Sequence, residues 1–75
     1  MKITVNCMEC QVSTERVSYE RIAELAERPG AKNLSVTYHG SIVIDGERYE
    51  KNGILCPGES VKALDGMHFA AIWKA

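Results

Sequence analysis

The segment Cys7-Met8-Glu9-Cys10 is the first place in the chain where chemistry could reside. Thiols at Cys-x-x-Cys spacing serve as half of a zinc knuckle or as a redox pair. A structural zinc takes four ligands, and the other candidates, His39, Cys56 and His68, are scattered without a second close pair. A redox pair works best at a helix N-terminus, where the dipole favours a thiolate, whereas this one joins two expected strands. Small turn residues are the favoured interpretation, with no metal and no cofactor. Cys56 precedes Pro57-Gly58 in an expected loop, with no His–acid pair nearby in sequence to activate it. His39 and His68 could act as an acid–base pair only with a carboxylate partner and a pocket, and the sequence implies neither. The chain has 75 residues, leaving little room for a substrate pocket of roughly several hundred cubic ångströms, so no enzyme is expected.

Composition narrows the choice further. Apolar residues make up 45% and charged residues 25%, values that suit a globular domain and exclude a disordered tail. A net charge of −1, with lysines and arginines scattered among acids, argues against nucleic acid or an anionic membrane as partner, since both require a concentrated basic footprint. No apolar run approaches the ~20 residues that span a bilayer, and Met-Lys-Ile-Thr-Val is too short for a signal peptide. Three cysteines cannot all pair, so reduced thiols and a cytoplasmic location are expected.

The elements that must position any site follow from periodicity. Ile3, Val5 and Cys7 alternate with Lys2, Thr4 and Asn6, a half-buried strand that turns near Met8-Glu9 into a second strand over Cys10–Ser13. Ser18 is an N-cap for a helix over 19–28, whose apolar stripe is Tyr19, Ile22, Leu25 and Ala26. Val17 and Ile22 occupy hydrophobic-staple positions, Glu24 and Arg28 can pair across one turn, and Pro29-Gly30 ends the helix. Leu34, Val36 and Tyr38 alternate with Ser35, Thr37 and His39 as a strand. Ile42–Ile44 and Glu47–Tyr49 flank the favoured hairpin turn Asp45-Gly46, and Asn52-Gly53, Pro57-Gly58 and Asp65-Gly66 mark further turns. Met67–Lys74 is apolar on both parities, as a strand inside a sheet should be.

One helix with one apolar stripe can cover only one sheet face, and a right-handed crossover sets the last strand parallel to the first. The expected fold is therefore α+β: a β-grasp, a four- to five-stranded mixed sheet packed on one helix, forming a single domain over residues 1–75. Its expected core is Ile3, Val5, Val12, Tyr19, Ile22, Leu25, Leu34, Val36, Met67 and Phe69.

The stretches Val17-Ser18-Tyr19-Glu20-Arg21-Ile22-Ala23-Glu24-Leu25-Ala26, Ser35-Val36-Thr37-Tyr38, and Pro57-Gly58-Glu59-Ser60-Val61-Lys62 through Asp65-Gly66-Met67-His68-Phe69 resemble the bacterial ubiquitin-like proteins, including the multiubiquitin-type domains. The resemblance covers most of residues 3–73. It implies a protein modifier of a conjugation-type system, its C-terminal carboxylate activated and joined to a target. The implied partners are activating-, conjugating- and deubiquitinase-like proteins. The sequence closes Ile72-Trp73-Lys74-Ala75 where ubiquitin has Gly-Gly, so attachment would run through Ala75. That departure favours the alternative, a non-conjugated β-grasp adaptor that binds partners through its sheet face. In ubiquitin the corresponding face is the main recognition patch. By that resemblance the candidate partner-binding residues here are His68, Ala70 and Ile72 on the outward face of the last strand, Thr37 and His39 beside them, and Met8 near the hairpin tip.

Overall fold

Ser18 starts the helix as its type predicts. Its backbone is extended (φ −91°, ψ 160°), and its Oγ accepts from the Arg21 N–H at 3.0 Å. The Tyr19 N–H donates to Glu59 O at 3.0 Å, and Glu20 Oε2 accepts from the Gly58 N–H at 2.9 Å, tying the helix start to the Pro57-Gly58 turn. In the computed structural model, which describes residues 1–74, α1 spans Tyr19–Leu25.

The helix is shorter than the expected 19–28, and its end explains why. Glu27 adopts φ 62°; its N–H donates to Glu24 O at 3.0 Å, while the Arg28 N–H donates to Ala23 O at 2.7 Å. This is the Schellman arrangement, normally closed by glycine and here by glutamate. The left-handed residue redirects the chain before Arg28 completes the turn that would bring it to Glu24. Glu24 instead faces Arg21 at 3.7 Å, and the Arg28 guanidinium lies 5.7 Å from the Trp73 ring centroid.

The first hairpin turns earlier than expected. β1 (Lys2–Val5) and β2 (Met8–Gln11) are joined by Asn6 and Cys7, whose φ values are 48° and 70°. A two-residue turn with both φ positive matches the twist of the strands it joins, and Asn tolerates that conformation well. Asn6 is also held by a residue from the other end of the chain. Its Nδ2 donates to Ala71 O at 3.0 Å, and its Oδ1 accepts from the Ala71 N–H at 2.8 Å.

Two further strands are short: β3 (Arg16–Ser18), running into the helix, and β6 (Ser60–Lys62), which pair with each other. The remaining strands are long. β4 (Leu34–Ile44) and β5 (Glu47–Leu55) form one continuous hairpin around Asp45-Gly46. Asn52-Gly53, expected as a turn, lies inside β5. Gly53 faces Tyr38, and a Cβ there would come within 2.7 Å of the Tyr38 Oη, so glycine makes room for the ring. β7 (His68–Trp73) completes a five-stranded mixed sheet of order β2-β1-β7-β4-β5. β7 is parallel to β1 and antiparallel to β4, inside the sheet as its two-sided apolar pattern requires.

The core joins helix residues Tyr19, Ile22 and Ala23 to Ile3, Val5, Val36, Met67 and Phe69 of the strands. Leu25 is only half-buried, while Val17, Leu55, Val61 and Ala63 are buried beyond the expected set. Trp73, grouped by parity with the inward residues, lies past the end of the core and is exposed. The Tyr19 hydroxyl, fully buried, accepts from the Leu34 N–H at 2.8 Å and is 3.3 Å from Leu34 O, to which it donates. No helix among the described residues is long and apolar enough to cross a membrane.

Candidate functional site

The helix covers one face of the sheet, and the other face carries the candidate residues. Strand register assigns them row by row. Ile54, Thr37 and Ala70 lie side by side on β5, β4 and β7, and Ser35 pairs with Ile72 in the next outward-facing row. On the opposite side of the Ile54 row stand Asn52, His39 and His68, with Thr4 beside His68 on β1. Ile54, on the edge strand β5, and Ile72, near the end of β7, are 69% and 63% exposed, large apolar side chains left in water on this face. A shallow depression of about 640 Å³ lies on this face, lined by Thr37, His39, His68, Ala70, Asn52 and Ile54 among others.

Five of the six expected partner-binding residues therefore share one face: Thr37, His39, His68, Ala70 and Ile72. Met8 does not join them. It pairs with Val5 across the Asn6-Cys7 turn, and directly opposed residues project to the same side, so Met8 takes the helix-side parity of Val5 and Cys10. The expected turn at Met8-Glu9 put Met8 at the hairpin tip, whereas with the turn at Asn6-Cys7 it is the first residue of β2. Ile54 and Asn52 were missed for a related reason: reading Asn52-Gly53 as a turn hid the alternation of Glu50, Asn52 and Ile54 along β5. Ala75, expected as the attachment residue, lies outside the described residues.

His39 and His68 are direct partners on adjacent antiparallel strands and both are exposed, so two imidazoles far apart in sequence stand together here. Cys7 lines the same depression, whereas Cys10 packs toward the core and lies 3.6 Å from the Met8 carbonyl through its Sγ. The Cys-x-x-Cys thiols thus serve different surroundings. Among the described residues no three His, Cys, Asp or Glu side chains converge as a cation site. Cys56 is exposed in the turn before β6, its N–H donating to Glu59 Oε1 at 2.8 Å.

No family model, curated protein or solved structure matches the chain.

Proposed function

We propose that this chain is a β-grasp adaptor of the ubiquitin-like class, which recruits protein partners through the open face of its sheet and forms no covalent bond in doing so. The carrying observation is the apolar strip of Ile54, Ala70 and Ile72, set among Ser35, Thr37, Asn52, His39 and His68 on a face that no other element among the described residues covers. A small apolar centre with a polar rim suits a protein–protein contact of ordinary size. The strand order, with a parallel β1–β7 pair inside the sheet and one helix across one face, supports the β-grasp assignment.

The candidate partners are activating-, conjugating- and deubiquitinase-like proteins, and each can be titrated calorimetrically. Ile72→Asp and Ile54→Asp should each weaken binding roughly tenfold or more, because an ionised carboxylate would be buried at the centre of the contact. Both residues are exposed in the free protein, so circular dichroism and melting should not change. Tight binding that both variants leave untouched would refute the open face as the docking site.

The same strand order also suits a second reading, a modifier joined to targets through Ala75. Threading that end into an activating enzyme would first require peeling Lys74 from the sheet, where its N–H donates to Asn33 O at 3.0 Å, and lifting Trp73 from beneath Arg28. Incubation with ATP and an activating-type enzyme, followed by intact-mass measurement, separates the two. An unchanged mass where a control modifier is loaded supports the adaptor; an adduct through Ala75 replaces it with the modifier.

A further inference from the structure

The β4–β5 hairpin outgrows the sheet that supports it. β7 pairs with β4 only as far as His39, Gly40 still packs on Met67, and Lys51 Nζ donates to Lys62 O at 3.0 Å, so from Ser41 to Glu50 the hairpin is a two-stranded ribbon projecting past the core. The molecule measures 40 × 23 × 21 Å as a result. Such ribbons are marginally stable alone. This one also exposes Ile42, Val43, Ile44 and Tyr49, none of which belongs to the outer-face strip. β5 is the last strand of the sheet, and among the described residues no strand pairs along its outer edge.

Backbone geometry states which groups that edge offers. Asp45 and Gly46, with φ 51° and 82°, make a two-residue turn, so the flanking Ile44–Glu47 pair exchanges hydrogen bonds. The pattern then alternates along an uninterrupted register. Glu47, Tyr49 and Lys51 bond to β4, while Arg48, Glu50 and Asn52 aim their N–H and C=O groups outward. The same alternation, carried through β4 to β7, directs Phe69 and Ala71 toward β1, where Phe69 O and the Ala71 N–H are found bonded to Asn6.

We propose that the outer edge of β5 is a self-association site that takes a second copy of this chain, antiparallel, in the register centred on Tyr49. Only registers that oppose outward-aimed residues to one another can form a ladder. Centring on Arg48 places Arg on Arg, centring on Glu50 places Glu on Glu, and centring on Lys51 places Lys on Lys. Centring on Asn52 opposes Glu50 to Ile54. Centring on Tyr49 opposes Arg48 to the second copy's Glu50 and Glu47 to the second copy's Lys51, with each pair repeated by the two-fold axis. Charges on an exposed edge ordinarily repel other strands. Here Glu47-Arg48-Tyr49-Glu50-Lys51 is charge-complementary to itself: of these registers only the one centred on Tyr49 opposes unlike charges, and it lets Arg48, which lies 3.3 Å from its own Glu50 in the single chain, pair with the second copy's Glu50 as well.

The apolar surface of the ribbon agrees with this arrangement. Ile42 is the β4 partner of Tyr49, on the same face, so pairing sets Ile42, Tyr49 and their counterparts from the second copy in one continuous row across four strands. Aromatic cross-strand pairs are among the more favourable sheet contacts. The two-fold axis runs perpendicular to the sheet, so both outer-face strips point the same way and a dimer presents two docking faces together.

Sedimentation velocity on the full chain, over a concentration series reaching millimolar, tests the site. The wild type should show a reversible monomer–dimer equilibrium. Arg48→Glu and Glu50→Arg should each shift it roughly tenfold or more toward monomer, since each creates like-charge pairs at symmetry-related positions. The double variant Arg48→Glu/Glu50→Arg should restore the dimer. Amide exchange reports the register independently: protection should rise with concentration at Arg48 and Glu50, while Tyr49, already bonded to β4, should change little. A chain that stays monomeric throughout overturns the proposal. So does a dimer that both single variants leave intact, or one whose new protection falls at Ser41 and Val43 on the opposite edge of the ribbon.

Discussion

Asn6 reads in the sequence as an ordinary polar residue of a strand, yet the fold gives its side chain two backbone partners. The amide bonds both the N–H and the C=O of Ala71, at 2.8 and 3.0 Å, and so continues the parallel β1–β7 ladder after β1 itself has turned away. Asn6→Gly removes both bonds while keeping a residue at ease with φ 48°. Each bond contributes about 0.5–1.5 kcal/mol net, so that variant should lose about 1–3 kcal/mol. Asn6→Ala loses the same bonds and adds a left-handed alanine at about 1–2 kcal/mol, for a total of about 2–5 kcal/mol. A domain of this size has on the order of 4–11 kcal/mol of stability, so both changes are measurable and the larger is serious. Urea unfolding followed by far-UV circular dichroism gives the two values. If Asn6→Ala stays within about 0.5 kcal/mol of wild type, below the least net worth expected of one bond, the bridging role is wrong. If Asn6→Gly is the more damaging of the two, the turn assignment is wrong.

Tyr19→Phe removes the hydroxyl that serves both backbone groups of buried Leu34 and should cost about 1–3 kcal/mol, seen as a fall in melting temperature of about 4–8 °C per kcal/mol. An unchanged melt would show that Leu34 finds other partners. Glu27→Gly places glycine at a left-handed helix end and should raise stability by about 0.5–1 kcal/mol in the same assay, after allowing for the greater freedom of glycine in the unfolded chain. Glu27→Ala keeps the strained φ and serves as the control, with no comparable gain.

Much of the fold was legible because it depends on local pattern. Ser18, the Val17 staple and the Tyr19–Ile22 spacing located the helix start. The two-sided apolarity of 67–74 placed the last strand inside the sheet, and Asp45-Gly46 marked the hairpin. The errors came from residues with more than one use. Asn-Gly ordinarily signals a turn, but at 52–53 the glycine accommodates the Tyr38 ring within a strand, and the ring arrives from β4. Asn6-Cys7 carries a weak turn signal, and its positive φ values are supported by Ala71 from the far end of the chain. Glu27 ends the helix without a glycine to announce it.

By itself, then, the order of residues determined where the helix starts, the strands of the main sheet in outline, most of the core side chains, and that one helix covers only one sheet face, since these depend on spacing along the chain; the short β3–β6 pair and the full length of β5 were not legible. Only the tertiary structure decided register, and register decides sides. It set Ile54 beside Thr37 and Ala70, brought His39 against His68, and moved Met8 to the helix side. It also left β5 at the boundary of the sheet, where its alternating charges meet solvent. Neighbours in the hydrogen-bonding direction lie far apart in sequence, so no local pattern can specify them; the choice belongs to the packed sheet as a whole.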